Sequence, residues 1–171
     1  MKLSPYLPFP GNCREAFKFY AETFGGKVTA EVTYGETPAA AQTPKEQHNH
    51  IIHIRLEVGA EVLMGCDSPP DHYHAPAGTT LMWAVDDVTK AEKIFTTLAG
   101  RGGKVTAPWS PTFFAKGFGM CTDRFGVQWM VGTLLHPQDS GTKLKTAYSR
   151  AATQKTTPTP NAFRAPFRVK R

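Results

Sequence analysis

The sequence predicts an α+β fold in which two tandem βαβββ modules form a curved mixed sheet, with helices on one face and a ligand cup on the other. One observation is a repeat: residues 25–30, with the sequence GGKVTA, recur unchanged at residues 102–107. A second is that a helix-like stretch precedes each copy and strand-like stretches follow it in the same order. A duplicated unit explains both better than a chance helix end followed by a strand start.

The first module is predicted over about residues 3–67. Asn12 and Glu15 have the spacing of a capping box and open a helix. Gly25 and Gly26 end that helix. Alternation of apolar side chains predicts the four strands of this module, at residues 6–9, 27–34, 51–58 and 61–66.

The second module is predicted over about residues 79–133, after a proline-containing linker at residues 67–78. Residues 86–87 cap a helix at residues 88–99, and the glycine-rich residues 100–103 end it. The first strand of this module is predicted at residues 79–85, and the second begins at residue 105 and ends at a loop over 108–117. The third and fourth strands are predicted at residues 118–121 and 127–131.

The same alternation assigns side chains to the two faces of the sheet. The residues expected to pack against the helices are Leu63, Trp83, Trp129 and Val131. Those expected to line the cup are Leu7, Phe9, Met64, Met82, Gln128 and Met130. Because methionine adapts its shape, this second surface favours a flat apolar ligand or a promiscuous site. A filled interior or a dimer contact is the alternative.

The charges divide the chain into a domain and a tail. Residues 1–133 hold 12 Lys and Arg against 13 Asp and Glu, whereas residues 134–171 hold 8 against one. The pI near 9.3 therefore belongs to the basic, Thr- and Pro-containing tail, which has too few apolar residues to fold alone. Aromatics alternate with cations at residues 163–168, and this pattern would suit binding of nucleic acid or an acidic partner as an alternative role. The main expectation is that the tail is a solvated extension that does not bind nucleic acid.

No apolar run reaches the ~18 residues that a membrane span requires, and the first residues lack the core of a secretion signal. The three cysteines form no CxxC pair, which indicates reduced thiols. A cytoplasmic protein with no membrane partner is expected. Cys66 lies near Asp67 and His72 in sequence, which is only weak support for a nucleophile.

Five motifs occur in order across residues 3–133: YLPFPGNCREAFKFY at 6–20, FGG at 24–26, HIRL at 53–56, LMGCD at 63–67 and DRFGVQWMV at 123–131. With them the chain resembles the vicinal oxygen chelate superfamily of glyoxalases, bleomycin-resistance proteins and extradiol dioxygenases, and most closely its PhnB-like branch. The resemblance implies paired βαβββ modules, a ligand cup and a homodimer. This branch often bears the name demethylubiquinone methyltransferase-like, but the sequence lacks a glycine-rich methyl-donor loop after a strand.

Metal-dependent members of the superfamily carry one ligand on the first and one on the last strand of each module. The resemblance puts Pro5, Met64, Thr80 and Met130 at these four positions. None offers the imidazole or carboxylate that such a site needs. We therefore predict no metal, no cofactor and no catalytic residue, with a metal-dependent lyase or dioxygenase of the same superfamily as the alternative.

The predicted function is metal-free binding of a small apolar or aromatic molecule, which can carry a negative charge, either to sequester it or to act on it as an unidentified substrate. The residues predicted to bind it are Phe9, His53, Arg55, Met64, Met82, Trp109, Gln128 and Met130. A neutral imidazole at His53 and a fixed cation at Arg55 would hold an anionic or hydroxylated group, although a structural pair explains them equally well. His50 and His53 lie on opposite faces of a strand, which argues against a histidine metal site.

Overall fold

The computed structural model describes residues 3–135, and the helices and strands in this range follow the predicted order. The α-helices of this range are α1 (Cys13–Phe24) and α2 (Val88–Ala99), and four short 3-10 helices lie in the loops before β3 and β5. The strands are β1 (Tyr6–Phe9), β2 (Lys27–Thr33), β3 (Ile51–Val58), β4 (Glu61–Asp67), β5 (Leu81–Ala84), β6 (Lys104–Ser110), β7 (Ala115–Thr122) and β8 (Gln128–Leu134). From residue 136 onwards the predicted basic tail lies outside the described residues. Neither helix is long or apolar enough to cross a membrane, and this holds for every helix in the described range.

Each module forms its own mixed four-stranded sheet, with strand orders β1-β4-β3-β2 and β5-β8-β7-β6. In both sheets the first strand of the module pairs in parallel with the last, and the other pairs are antiparallel. The predicted tandem βαβββ fold is therefore confirmed. The hydrogen bonds of residues 3–135 form two sheets where the sequence suggested one.

The repeated GGKVTA segment is the joint between the helix and the second strand of each module. Its first glycine has a positive φ, +74° at Gly25 and +99° at Gly102, a conformation that favours glycine. Its second glycine has no room for a side chain, because a Cβ on Gly26 or on Gly103 would lie 2.6 Å from a backbone carbonyl oxygen. Backbone geometry thus accounts for both glycines of the repeat.

We expect Gly26→Ala to lower the free energy of unfolding by about 2–3 kcal/mol, because the backbone opposite the new methyl group cannot move away easily. Gly25→Asn is a matched control, since asparagine tolerates the left-handed conformation and a Cβ there meets nothing within 4 Å. Urea denaturation measures both variants. A Gly26→Ala protein as stable as the control would contradict the packing argument.

The start of α1 differs from the prediction. Asn12 makes no side-chain cap hydrogen bond, and Glu15 pairs instead with Arg124, with 3.0 Å between Oε1 and Nη2. The carboxylate of Asp67, at the end of β4, accepts hydrogen bonds from the first turn: its Oδ1 lies 2.9 Å from the backbone nitrogen of Cys13. The predicted capping box is wrong because a residue distant in sequence satisfies these donors.

Two predicted boundaries in the second module can be compared directly with the structure. Asp87 caps α2 as expected, accepting a hydrogen bond at Oδ1 from the backbone N–H of Lys90 at 2.8 Å. The predicted loop at residues 108–117 is shorter, because β6 continues through Pro108 to Ser110 and β7 already begins at Ala115. Proline is tolerated there because β6 is the edge strand of its sheet.

The core runs through both modules because α1 packs against the second module as well as its own sheet. The ring of Phe24 stacks on Trp83 with centroids 4.2 Å apart and lies 5.2 Å from Trp129. Tyr20 lies 5.5 Å from Trp129 in an edge-to-face contact. The predicted helix-facing position of these two tryptophans is confirmed, and Leu63 and Val131 are buried in the same core.

Candidate ligand-binding cleft

The face of each sheet that points away from the helices, here called the open face, carries most of the predicted site residues. On the first sheet these are His53, Arg55 and Met64, and on the second they are Met82, Gln128 and Met130. Strand register supports this placement, since Arg55 pairs with Met64 and Met82 pairs with Met130, while their sequence neighbours enter the core. Alternation along each strand therefore predicts the face of these six residues correctly, and their role in binding stays a prediction.

The assignment of Leu7 and Phe9 to the cup was wrong. Phe9 is 1% exposed, and its ring lies 6.1 Å from Phe17 of α1 in an edge-to-face contact. Because β1 pairs in parallel with β4 so that Tyr6 lies beside Met64, the residue of β1 on the open face is Tyr6. Two apolar residues in a four-residue strand could not establish which face was buried.

Trp109 was also placed wrongly. Its ring lies 5.6 Å from that of Phe95 in α2, which puts it on the helix side of the second sheet. A Cβ on Gly117 would lie 2.5 Å from the same indole, so the glycine makes room for it. Trp109 therefore contributes packing under α2.

A cleft of about 430 Å³ opens between the two modules. The wall residues from the first module include Pro5, Val62 and Leu63, and those from the second include Thr80, Met82 and Trp83. Of its walls within residues 3–135, only Glu61 carries a charge. This size and polarity suit a compact apolar or aromatic molecule. Met82, 39% exposed, is the one predicted site residue that lines the cleft.

Aromatic side chains from both modules form the back of the cleft. Phe24, only 4% exposed, comes from the last turn of α1, and Trp83 and Trp129 come from β5 and β8. The stacked Phe24 and Trp83 rings are tilted by only 21°. Flat rings on the wall of the cleft favour a flat ligand, because offset stacking adds to the burial of apolar area. Nothing in the sequence indicated that α1 would reach the second module.

The four positions that carry metal ligands in the superfamily do not fit a metal here. Pro5 and Thr80 line the cleft, but the Pro5 carbonyl accepts the backbone N–H of Met64 at 3.1 Å, and Thr80 Oγ1 donates to Gln128 Oε1 at 3.4 Å. Met130 offers only a soft, neutral sulfur. Within residues 3–135 no three His, Cys, Asp or Glu side chains cluster as a metal site would require. That the protein binds no metal stays a prediction.

A buried carboxylate holds the back of the cleft together. Asp123, 3% exposed, accepts hydrogen bonds at Oδ2 from the Tyr20 hydroxyl at 2.7 Å and from Trp129 Nε1 at 2.8 Å. Its Oδ1 accepts the backbone N–H groups of Phe125 at 2.8 Å and Val127 at 3.0 Å. Asp123 therefore ties α1 of the first module to the indole that lines the cleft. The sequence placed Asp123 in a motif without showing its partners.

Two buried acidic groups near this core, the Tyr20 hydroxyl and the Cys13 thiol, are expected to lower the free energy of unfolding at alkaline pH. Burial and the Asp123 carboxylate raise the pKa of Tyr20, and burial and the charge of Asp67 raise the pKa of Cys13. Because these pKa values are higher in the folded chain, the associated stability is fully present below the unfolded values, about 8.5 for Cys and about 10 for Tyr. It is lost as the pH rises towards the folded values.

We therefore expect the free energy of unfolding to fall from about pH 8.5, by up to about 1.4 kcal/mol per pH unit for each such group. Urea denaturation between pH 7 and about 10.5 measures this fall. Cys13→Ala should reduce the part that begins near pH 8.5, to which Cys121 also contributes because burial raises its pKa to about 11, whatever the effect of the substitution at neutral pH. An identical fall in that variant would show that Cys13 is not responsible.

Comparison with known proteins identifies the family. The model of the 3-demethylubiquinone-9 3-methyltransferase family matches residues 1–132. The chain belongs to this family. The curated protein YjdN of Escherichia coli K12 is 34% identical over 142 residues, which cover 78% of this chain and 96% of YjdN.

Two solved structures of this family's fold cover most of the chain. Protein PA1353 from Pseudomonas aeruginosa is 42% identical with a TM-score of 0.71, and the match covers 78% of this chain and 98% of PA1353. The PhnB protein from Bacillus cereus is 21% identical with a TM-score of 0.65, with 78% and 99% covered. More distant neighbours include glyoxalase-related and bleomycin-resistance proteins. The predicted membership of the PhnB-like branch is confirmed.

Proposed function

We propose that this protein binds a small apolar or aromatic molecule in the cleft between its modules and that binding requires no metal. The observation that carries this proposal is the aromatic back of the cleft, where Phe24 and Trp83 stack beside Trp129. Met82 at the cleft wall adapts to the edge of a ligand. The four superfamily metal positions carry no imidazole or carboxylate, which supports binding without a metal.

We do not extend the methyl transfer in the family's description to this chain. The turns that lead from a strand into α1 and α2 lie at 10–12 and 85–87. Neither contains the glycine-rich run that typically holds a methyl donor. The description does name a quinone, a flat ring of the kind that the aromatic wall would accept. The homodimer and the cytoplasmic location remain predictions, and sedimentation velocity would test the first.

The binding proposal can be tested with the neutral fluorescent probe N-phenyl-1-naphthylamine. We expect saturable binding at one site per chain, unchanged by EDTA. Met82→Glu should weaken it about tenfold or more, because a charge would enter an apolar cleft. Val105→Glu is the matched control: Val105 is 47% exposed on β6 and lies outside the cleft walls, so binding should not change.

If both glutamate variants changed the affinity for the probe equally, or if neither changed it, the cleft would not be the binding site. Elemental analysis of protein purified without added metal tests the second part of the proposal. A stoichiometric transition metal, together with loss of probe binding in EDTA, would instead support the metal-dependent alternative.

A further inference from the structure

Three side chains on the open face of the first sheet form a separate cluster from neighbouring strands. The sheet order β1-β4-β3 places β4 in the middle. Tyr6 of β1 lies beside Met64 of β4, two residues before Cys66. The β3–β4 register pairs Ile54 with Gly65, so its next step brings His53 opposite Cys66. Topology thus brings a thiol, a phenol and an imidazole together.

The contacts in this cluster centre on the Tyr6 hydroxyl. It lies 3.3 Å from His53 Nδ1 and 3.4 Å from the carbonyl oxygen of Ile52, and the Tyr6 and His53 rings stack with centroids 5.9 Å apart. Cys66 is the neighbouring side chain with the largest effect on this hydroxyl. Burial, and after it the neighbouring Cys66, raises the pKa of Tyr6 to about 12, so the phenol stays protonated at neutral pH. Tyr6 therefore contacts the imidazole and lies near the thiol.

We propose that Cys66 is a nucleophilic thiol that adds to soft carbon electrophiles of the α,β-unsaturated carbonyl class, with Tyr6 and His53 accepting and returning its proton. The thiol proton passes through the Tyr6 hydroxyl to His53 Nδ1, which accepts it when the neutral imidazole carries its proton on Nε2. The sulfur then bonds to the β-carbon, and the π electron pair moves to the carbonyl oxygen. Protonation of that enolate by His53 gives the thioether, so the addition needs no oxidant or reductant.

Accessibility separates Cys66 from the other two cysteines. Tyr6 is 47% exposed and Cys66 is partly exposed, whereas Cys13 and Cys121 are 0% and 1% exposed. Burial raises the pKa of Cys121 to about 11 and also raises that of Cys13, which keeps both thiols protonated. A thiol reagent should therefore select Cys66. Arg55, on the same face as the cluster, forms an ion pair with Glu57, with 2.8 Å between Nε and Oε1.

The test is alkylation of the folded full-length chain by N-ethylmaleimide, an α,β-unsaturated carbonyl, and by iodoacetamide, with peptide mapping by mass spectrometry. Cys66 is expected to react about tenfold faster than glutathione at pH 7, before Cys13 or Cys121. His53→Gln and Tyr6→Phe should each slow Cys66 alkylation about fivefold or more while the circular dichroism spectrum stays unchanged. Cys66→Ser should abolish the fast phase.

A Cys66 rate equal to that of glutathione, or one that neither His53→Gln nor Tyr6→Phe changes, would overturn this proposal. Preferential labelling of Cys13 or Cys121 would also overturn it. The cleft proposal is independent, because N-phenyl-1-naphthylamine binding to Cys66→Ser tests the cleft without the thiol. Loss of the fast alkylation with retained probe binding identifies Cys66 as a site separate from the cleft.

Discussion

Replacing Asp123 with alanine is expected to lower the free energy of unfolding by about 4 kcal/mol. The carboxylate is 3% exposed and accepts four hydrogen bonds, two from side chains and two from the backbone. Alanine would leave the Tyr20 hydroxyl and the Trp129 indole N–H without this acceptor in the core. An unsatisfied buried donor costs about 1–3 kcal/mol, and hydrogen bonds to a charged group are stronger than average.

Urea denaturation of three variants separates these contributions. Tyr20→Phe removes one donor together with its need for a partner and should cost only about 1–1.5 kcal/mol. Asp86→Ala, at an exposed position before α2, is the control for loss of an acidic residue and should stay within about 0.5 kcal/mol of wild type. A cost for Asp123→Ala no larger than that of Tyr20→Phe would show that the backbone donors find water or other partners.

Local patterns predicted the elements of this fold because each pattern reports on its own strand or helix. Residues 88–99 were predicted as a helix and form α2 over that range. The incorrect predictions concern positions whose structure is set by residues distant in sequence. Asp67 replaces the predicted cap of α1, and parallel pairing with β4 sets the buried face of β1. The sequence predicts Pro108 in a loop, but it lies within β6 because an edge strand can lack one donor.

The site was predicted less completely because it depends on how the two modules pack. The sequence placed Met82 correctly but could not show that Phe24 of α1 stacks on Trp83 of β5. The Cys66 cluster did leave a signal in the sequence. A turn at residues 59–60 pairs Val58 with Glu61, and counting back along that hairpin brings His53 opposite Cys66. The partners of Cys66 thus lie across the neighbouring strands and not beside it in sequence.

Phe24→Ala is expected to change both stability and ligand selection, because one side chain belongs to the core and to the cleft wall. Phe24 is 4% exposed and contacts the rings of Tyr20, Trp83 and Trp129. Removing the ring should lower the free energy of unfolding by about 3–4 kcal/mol through lost apolar burial and the cavity left behind. The same cavity would extend the cleft, so affinity for pyrene relative to naphthalene should rise about tenfold.

Phe95→Ala is the matched control for this variant. Phe95 is 6% exposed in α2, packs on Trp109 and does not line the cleft, so it should cost a similar free energy without changing the preference between the two hydrocarbons. Fluorescence titration below the urea transition measures both affinities. An equal shift in the two variants would mean that loosened packing, and not the removed ring, admits the larger ligand. A shift confined to Phe24→Ala would make the last turn of α1 the element that sets ligand size, because it brings a core side chain of one module to the cleft shared by both.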